Sequence, residues 1–589
     1  MTQTWIPGKD EALEASIDRL HHCVSELGFH IEEGRWLNPA PHVWSVHIRD
    51  RECPQVFANG KGSTHQAALA SAYGELLERL STRYLWADFY LTPVLKRFGF
   101  IHQSDEIWFD TSQRDEHAWP EALLDDHTLN HFDPERELTL GELQDLNGGD
   151  SGHGVCALPY SRISDGRQVL IPVNIIGNLF VSNGMSAGNN RDEALVQGLS
   201  EIFERGIKNR IISDAITLPE VPASVLERYP GIQAGMSALE AAGFTLRALD
   251  GSLGGRYPVM CIVLQNPADG GVYASFGAHP RFGVALERAM TELLQGRALD
   301  ELEGFPAPTT DMDLVNEPYN LELHFIDSSG YVSWALLGDR PDVAFHDWDD
   351  PRDNAATKQA LIDLLAEDGH EVYVAEHTAL GAYACRILVP GFSEVYPADE
   401  LKWHNNNQAL SHRATLFNLP SAGHHAWQQL LETLEHHGVN EQLRVLEWAG
   451  IVGDPGTSWA RLRIGELKLW LMLALEDTEG AMAQLSMILG SGHLSLDERT
   501  RLRALEDVLS LLNADADLEE FRRALNVYHG EALVEEAEEL AQAQVLFPSL
   551  PALDPRSPTV AHGRLLEAYE KVLHGQRWSG RIHPAGRPS

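Results

Sequence analysis

Three stretches of the chain share one pattern of apolar and polar positions. Gly184–Arg205 reads GMSAGNNRDEALVQGLSEIFER. Before it lies the apolar run Ile175–Val181, which predicts a strand. After a few small residues, Leu195, Leu199, Ile202 and Phe203 recur at helical spacing. Glu201 and Glu204 stand three apart, so they share a helix face, and Arg205 follows. Gly60–Arg79 (GKGSTHQAALASAYGELLER) repeats the pattern after Val56–Ala58, and Gly277–Arg297 (GAHPRFGVALERAMTELLQGR) repeats it after Val272–Phe276. In each unit an Ala stands seven residues before a Glu: Ala68 and Glu75, Ala194 and Glu201, Ala285 and Glu292. Three residues further on come Glu78, Glu204 and Gln295. Thirteen before the Glu lie Gly62, Gly188 and, in the third unit, His279. This predicts a repeated strand–Gly-loop–acidic-helix unit that gathers several acidic helices at one place.

The rest of the first two-thirds reads as mixed α/β. Asp10–Leu27 carries an apolar stripe of Leu13, Ile17, Leu20, Val24 and Leu27, with Lys9 just before it. Trp44, Val46 and Ile48 alternate as in a half-buried strand. Residues 99–155 have little periodicity. Residues 256–264 and 272–276 flank the turn-rich NPADGG and predict a hairpin. Residues 360–365 predict a helix, and 371–375 and 382–390 predict strands. After about residue 405 strand signals vanish. Helical periods run over 424–436, 459–475, 479–489, 496–513, 517–528 and 531–545, as in a helical-repeat (TPR-like) array, although the tetratricopeptide consensus fits no register well. The expected organisation is an α/β domain over 1–405, an all-α domain over 406–575 and a disordered tail over 576–589.

Composition narrows the function. The 589 residues carry a formal charge of −41, with no basic stripe, which argues against nucleic-acid binding. An ATP site in such a field needs local cations. The five cysteines form no CxxC pair, which argues against a zinc ribbon or an iron–sulfur cluster bound by this chain. Their scatter suits a reducing cytoplasm. No signal-peptide pattern opens the chain, and no apolar run approaches the ~20 residues of a membrane span.

The acidic helices are the candidate chemistry. Glycine-flanked helix N-termini attract phosphate, and paired carboxylates hold a hard cation such as Mg²⁺. If Glu75, Glu78, Glu201, Glu204 and Glu292 converged bare, each pair at ~4 Å would repel by about 4 kcal/mol at an effective dielectric of 20. Either they point apart or a cation holds them. Walker A, protein-kinase, HExxH and GxSxG motifs are all absent.

The three units, above all SNGMSAGN and SEIFER, together with CRILVPGFSEVYP near residue 390, resemble the YcaO-domain family. The helical C-terminal region also resembles that of stand-alone members, so the likeness spans nearly the whole chain. The resemblance implies an ATP-binding fold with acidic helices and Mg²⁺ in place of a P-loop, and phosphoryl transfer to a backbone amide oxygen. It further implies nucleotide contacts at Lys9, Ser16, Ser186, Asn189, Arg205 and Arg288. Mg²⁺ ligands or their support are implied at Glu75, Glu78, Glu193, Glu201, Glu204 and Glu292. Of these, Lys9, Arg288 and Glu201 are the expected catalytic groups.

Azoline-forming relatives often end in Pro-x-Pro-x-Pro, whereas this chain ends HPAGRPS. Stand-alone members are associated instead with β-methylthiolation of an aspartate in a decoding-centre protein of the small ribosomal subunit, assisting the radical enzyme RimO. The expected partners are therefore ATP, RimO, that ribosomal protein and a second copy of the chain through the helical domain. The alternatives are a cyclodehydratase or thioamide-forming enzyme acting on a ribosomal peptide, and a nucleotide-regulated adaptor without turnover.

Overall fold

The computed structural model describes residues 3–110, 119–144, 154–398 and 406–579. The N-terminal two-thirds contains three antiparallel sheets. The first is β1 (Ile31–Ala40), β2 (Val43–Asp50) and β3 (Phe57–Gly62), in that order. The second has six strands. β4 (Ile107–Phe109), β5 (Val155–Arg162) and β7 (Met185–Gly188) are joined through β11 (Tyr373–His377) and β12 (Tyr383–Leu388) in the order β4-β5-β11-β12-β7, and β6 (Gln168–Pro172) pairs with β5. The third is β10-β9-β8, from β8 (Thr245–Asp250), β9 (Val259–Gln265) and β10 (Val272–Ala278). The hairpin expected over 256–276 is β9–β10.

Each sheet ends in one of the three repeated units. β3, β7 and β10 are edge strands of different sheets, and each leads into an acidic helix: α2 (His65–Thr82), α3 (Arg191–Ser213) and α4 (Phe282–Leu293). α1 (Leu13–Glu26) packs on α2. Every acidic helix packs on its own strand and also on a neighbouring sheet. α2 reaches β7 and β12, α3 reaches β9 and β10, and α4 reaches β2 and β3. The three units therefore close into a ring, each helix wedged between two sheets.

The repeated glycines and alanines make that wedge possible. A Cβ at Gly60 would meet Ala68 O at 2.0 Å and Ala72 N at 2.4 Å. One at Gly188 would meet Ala194 N at 2.6 Å, and one at Gly277 would meet Ala289 N at 2.3 Å and Ala285 O at 2.5 Å. Strand backbone lies directly on helix backbone, so both partners must be small. The glycines expected in loops thus sit at the ends of strands, and their first task is packing.

The run Ile175–Val181 is not the predicted strand. Val173–Ile175 is helical and Ile176–Phe180 forms a π-turn. A short continuous apolar run has no period to tell a strand from a buried helical turn. Here the buried Arg386 side chain settles the matter, because its Nη2 donates to Ile176 O and Val181 O. Elsewhere most predicted elements form: Asn354–Glu367 is helical, and β11 and β12 cover the last two strand signals, but the helix expected over 459–475 is broken at Leu462 and Arg463 into Ser458–Arg461 and Ile464–Ala474.

The C-terminal region is helical from Arg413–Phe417 to Glu531–Ala541, over its own core that includes Trp427, Leu467, Leu471 and Leu505. A last helix, α6 (Val560–Ser579), turns back and packs into the first core, the one that α1, α2 and the β1–β3 sheet share, through Leu565, Leu566, Tyr569, Val572 and Leu573, beside Val24, Val46, Leu77 and Trp86. One more helix bears on the site, α5 (Pro318–Ile326), which contacts α3. The tail expected to be disordered over 576–589 begins later than that, because α6 continues as helix to Ser579; from residue 580 it lies outside the described residues.

Candidate active site

The ring encloses one large cavity, about 1530 Å³. Its wall takes in Lys9, Ser16, Glu75, Glu78, Asn189, Glu193, Glu201, Glu204, Arg205, Arg288 and Glu292. Eleven of the twelve residues expected from the sequence are thus brought together. Ser186 is not among the lining residues. It is fully buried behind the wall, where its hydroxyl donates to Ala194 O at 2.7 Å and lies 3.2 Å from Cys385 Sγ. That bond holds the strand-to-helix turn from β7 into α3.

At one end Glu193 is a hub. It is 3% exposed and bonds Lys9 Nζ at 3.2 Å, the Asp10 backbone N–H at 2.9 Å and Asn189 Nδ2 at 2.9 Å. Asn189 Oδ1 in turn accepts from Ser16 Oγ at 2.8 Å and Arg19 Nη2 at 2.6 Å. The first turn of α3 is capped by Asn190, whose side chain accepts from Glu193 N–H. The N-terminal segment is thereby tied to the N-terminus of an acidic helix, with an ammonium facing the cavity.

At the other end lie the remaining carboxylates. Glu75 pairs with Arg79, Glu201 pairs with Arg205 at 2.9 Å, and Glu292 pairs with Lys61. Glu204 accepts from Ala278 N–H at 3.2 Å. Glu78 and Glu204 form no ion pair among the described residues. Arg288 donates to Ala278 O at 2.7 Å and to Gln197. The repulsion expected of bare carboxylates is thus met by basic side chains.

The balance is incomplete. Burial pushes the Glu78 carboxyl well above the usual range, and the charges of Glu201 and Glu75 push it further, against Arg79 and Arg205. Burial also raises Glu75 and Glu201, with Arg79 and Arg205 respectively pulling the other way. Burial lowers Lys61 and Arg288. Such a site favours whatever brings in positive charge beside the carboxylates.

Two groups in the site escape a reading built on the acidic positions. Arg79 follows Glu75 by four residues as Arg205 follows Glu201, so the ELLER and EIFER segments carried the signal. Lys61 lies on β3, where alternate residues Ala58, Gly60 and Gly62 are buried. Period-two alternation alone puts Lys61 and Asn59 on the cavity side.

The comparisons with known proteins agree with this picture. A family model described as "YcaO cyclodehydratase, ATP-ad Mg2+-binding" matches residues 59–393, and "YcaO cyclodehydratase C-terminal domain" matches 409–578. The chain belongs to the YcaO family. It is 48% identical over 583 residues to the Escherichia coli (strain K12) protein named "Ribosomal protein S12 methylthiotransferase accessory factor YcaO", covering 97% of this chain and 98% of that one. It is 47% identical over 582 residues to a Haemophilus influenzae protein named "Uncharacterized protein", covering 98% and 99%. The solved YcaO from Methanopyrus kandleri bound with AMPPCP and Mg2+ aligns at 17% identity and a TM-score of 0.41, over 67% of this chain and 95% of that one.

The side chains present suit a nucleotide and a hard cation. Arg79 Nε and Arg205 Nη1 are buried without a hydrogen-bond partner, as donors awaiting an anion are. The acidic groups are all oxygen donors, the set Mg²⁺ takes. Among the described residues no three His, Cys, Asp or Glu side chains are already gathered as a metal site, because arginine and lysine hold several of the carboxylates.

Proposed function

We propose that this YcaO-family chain is an ATP- and Mg²⁺-dependent accessory factor for β-methylthiolation of an aspartate in small-subunit ribosomal protein S12 by the radical enzyme RimO. The observation that carries this reading is its 48% identity, over 97% of its length, to a protein named for that role. The ring of acidic helices supports it chemically. Bound Mg·ATP supplies the transferable phosphoryl group and the cation that neutralises its charge.

The chain's own residues then have distinct tasks. Lys9, held by Glu193, and Arg288, held by Ala278 O and Gln197, place fixed positive charge in the cavity. Ser16 and Asn189 orient that end, and Arg205 presents an unsatisfied donor. Glu75, Glu78, Glu201, Glu204 and Glu292 would hold Mg²⁺, with Glu193 as support and Glu201 central to turnover. Activation of a backbone amide oxygen by phosphoryl transfer is the intrinsic chemistry. The cyclodehydratase description of both family models favours the same activation on a different peptide as the second reading.

The radical step belongs to the partner. All five cysteines are buried thiols, on separate elements. The α/β part, 1–405, carries ATP chemistry in the cytoplasm, and the helical part, 406–575, holds a second copy. Light scattering of the full chain at high concentration should report a dimer, and a monomer would reject that part of the proposal. The central test is intact-mass analysis of S12 from a deletion strain carrying wild-type or Glu201→Gln protein. The deletion should lose the methylthio mark, and only wild type should restore it. A fully modified S12 population in the deletion strain would reject the accessory role.

A further inference from the structure

The cavity opens beside a surface whose chemistry differs from the nucleotide end. Phe325, Ile326 and Asp327, at the C-terminal end of α5, line it. Phe325 lies under the Arg205 guanidinium, 4.3 Å from ring centroid to Cζ, so α5 is seated directly on the acidic site. Two apolar side chains on the outer face of α5 stand in solvent: Tyr319 and Ile326 are each 63% exposed. They are seven residues apart, which puts them on one stripe.

Around them the charge is of one sign. Residues 298–327 hold eight Asp and Glu and no Lys or Arg. Some of these are compensated: Glu301 pairs with Arg35 and Asp327 with Arg297. Asp311, Asp313 and Glu317, just before α5, are exposed and form no ion pair among the described residues. Large apolar groups rimmed by polar residues mark an interaction surface, and the sign of the rim selects the partner. A second copy would bring the same negative rim against this one, and a nucleic acid would be repelled.

We infer that the outer face of α5, with Tyr319, Ile326 and the acidic run before it, is the docking shelf for a basic polypeptide whose target residue enters the cavity past Phe325. This rests on the function proposed above and names how the protein substrate is held. A protein that lives on RNA is rich in Lys and Arg, so a ribosomal protein has the charge this shelf complements. The apolar pair supplies burial, and the acidic residues supply attraction and orientation.

The test uses full-length protein and purified S12 from the same organism, followed by fluorescence titration at low and high salt. Tyr319→Ser, and separately Asp313→Lys with Glu317→Lys, should each weaken S12 binding by about tenfold or more. The charge reversal should also flatten the salt dependence. Mg·ATP affinity, read by calorimetry, should stay within about twofold of wild type, which shows that the ring is intact. Unchanged S12 affinity in both variants overturns the inference, as does wild-type protein that fails to bind S12. Self-association that disappears in the variants overturns it too, by making the shelf an interface between copies. A deletion strain that keeps the methylthio mark would instead reject the function, and leaves the binding measurement standing by itself.

Discussion

Replacing Glu78 by Gln should make the ligand-free protein more stable and the Mg·ATP complex weaker. Burial and the neighbouring Glu201 and Glu75 raise the Glu78 carboxyl well above its ordinary range, so the folded state holds a proton that the unfolded chain has released. The sign follows: more protons bound when folded means that stability falls as pH rises. The window opens at the ordinary carboxylate pKa and closes at the raised folded one. One such group contributes a slope of about 1.4 kcal/mol per pH unit at most. Glu75, Glu78 and Glu201 are all raised, so the cluster imposes up to about 4 kcal/mol per pH unit where their windows overlap. Glu75 and Glu201 keep about a quarter of their side chains exposed, at 23% and 25%, and solvent screening reduces the figure.

A neutral amide of the same size removes one proton from that count. The expected result is a gain of about 1–2 kcal/mol at pH 7 in the absence of Mg²⁺ and nucleotide, shrinking to nothing near pH 4. Urea midpoints across pH 4–8, without ligands, measure it. Calorimetry should show Mg·ATP affinity down by about tenfold or more, as loss of a ligand or its support does. A variant that is less stable than wild type at pH 7, or that keeps wild-type Mg·ATP affinity, would refute the reasoning.

Other perturbations reach different parts of the ring. Glu201→Ala or Glu204→Ala should weaken Mg·ATP binding in calorimetry while circular dichroism stays native. Gly277→Ala should cost about 3 kcal/mol or prevent folding, because its Cβ meets helix backbone at 2.3 and 2.5 Å. Gly74→Ala is its control: a Cβ there meets nothing within 4 Å inside a helix, so stability should rise by about 1 kcal/mol. Tyr569→Ala should destabilise the first core by about 3–5 kcal/mol, although it lies near the C-terminus. Its ring packs 4.8 Å from Trp86 and its hydroxyl donates to Ile101 O. Limited proteolysis should then cut within residues 13–98 first.

What the sequence could disclose depended on how local each constraint is. The Ala–Glu and Glu–Glu spacings of the three units record contacts within one helix or between a helix and its own strand, so a single chain carries them openly. Ala68, Ala194 and Ala285 are small because Gly60 and Gly62, Gly188, and Gly277 press on them, all from the preceding strand. Constraints between distant segments leave no such trace. The π-turn at Ile176–Phe180 coincides with bonds from Arg386, some two hundred residues away, and the apolar run itself is silent about it. Ser186 fits the same rule in reverse: as the first residue of SAGN it has the look of a ligand contact, but its hydroxyl serves Ala194 O, eight residues on.

The same distinction explains the electrostatics. Glu75–Arg79 and Glu201–Arg205 are one-turn pairs and could be read from ELLER and EIFER. Glu292 has no arginine four residues on, since Gly296 stands there. Its counter-charge comes from Lys61, on the edge strand of the next sheet round the ring. A third unit that departs from the repeat must therefore borrow a cation from the first. The ring is closed electrostatically as well as sterically, and Lys61→Met should leave Glu292 as Glu78 already is, with no ion pair among the described residues. That substitution should steepen the loss of stability with rising pH in ligand-free protein, the opposite of Glu78→Gln, and Mg²⁺ with ATP should restore part of it. Parallel pH slopes for the two variants would show that the three units do not share one charge balance.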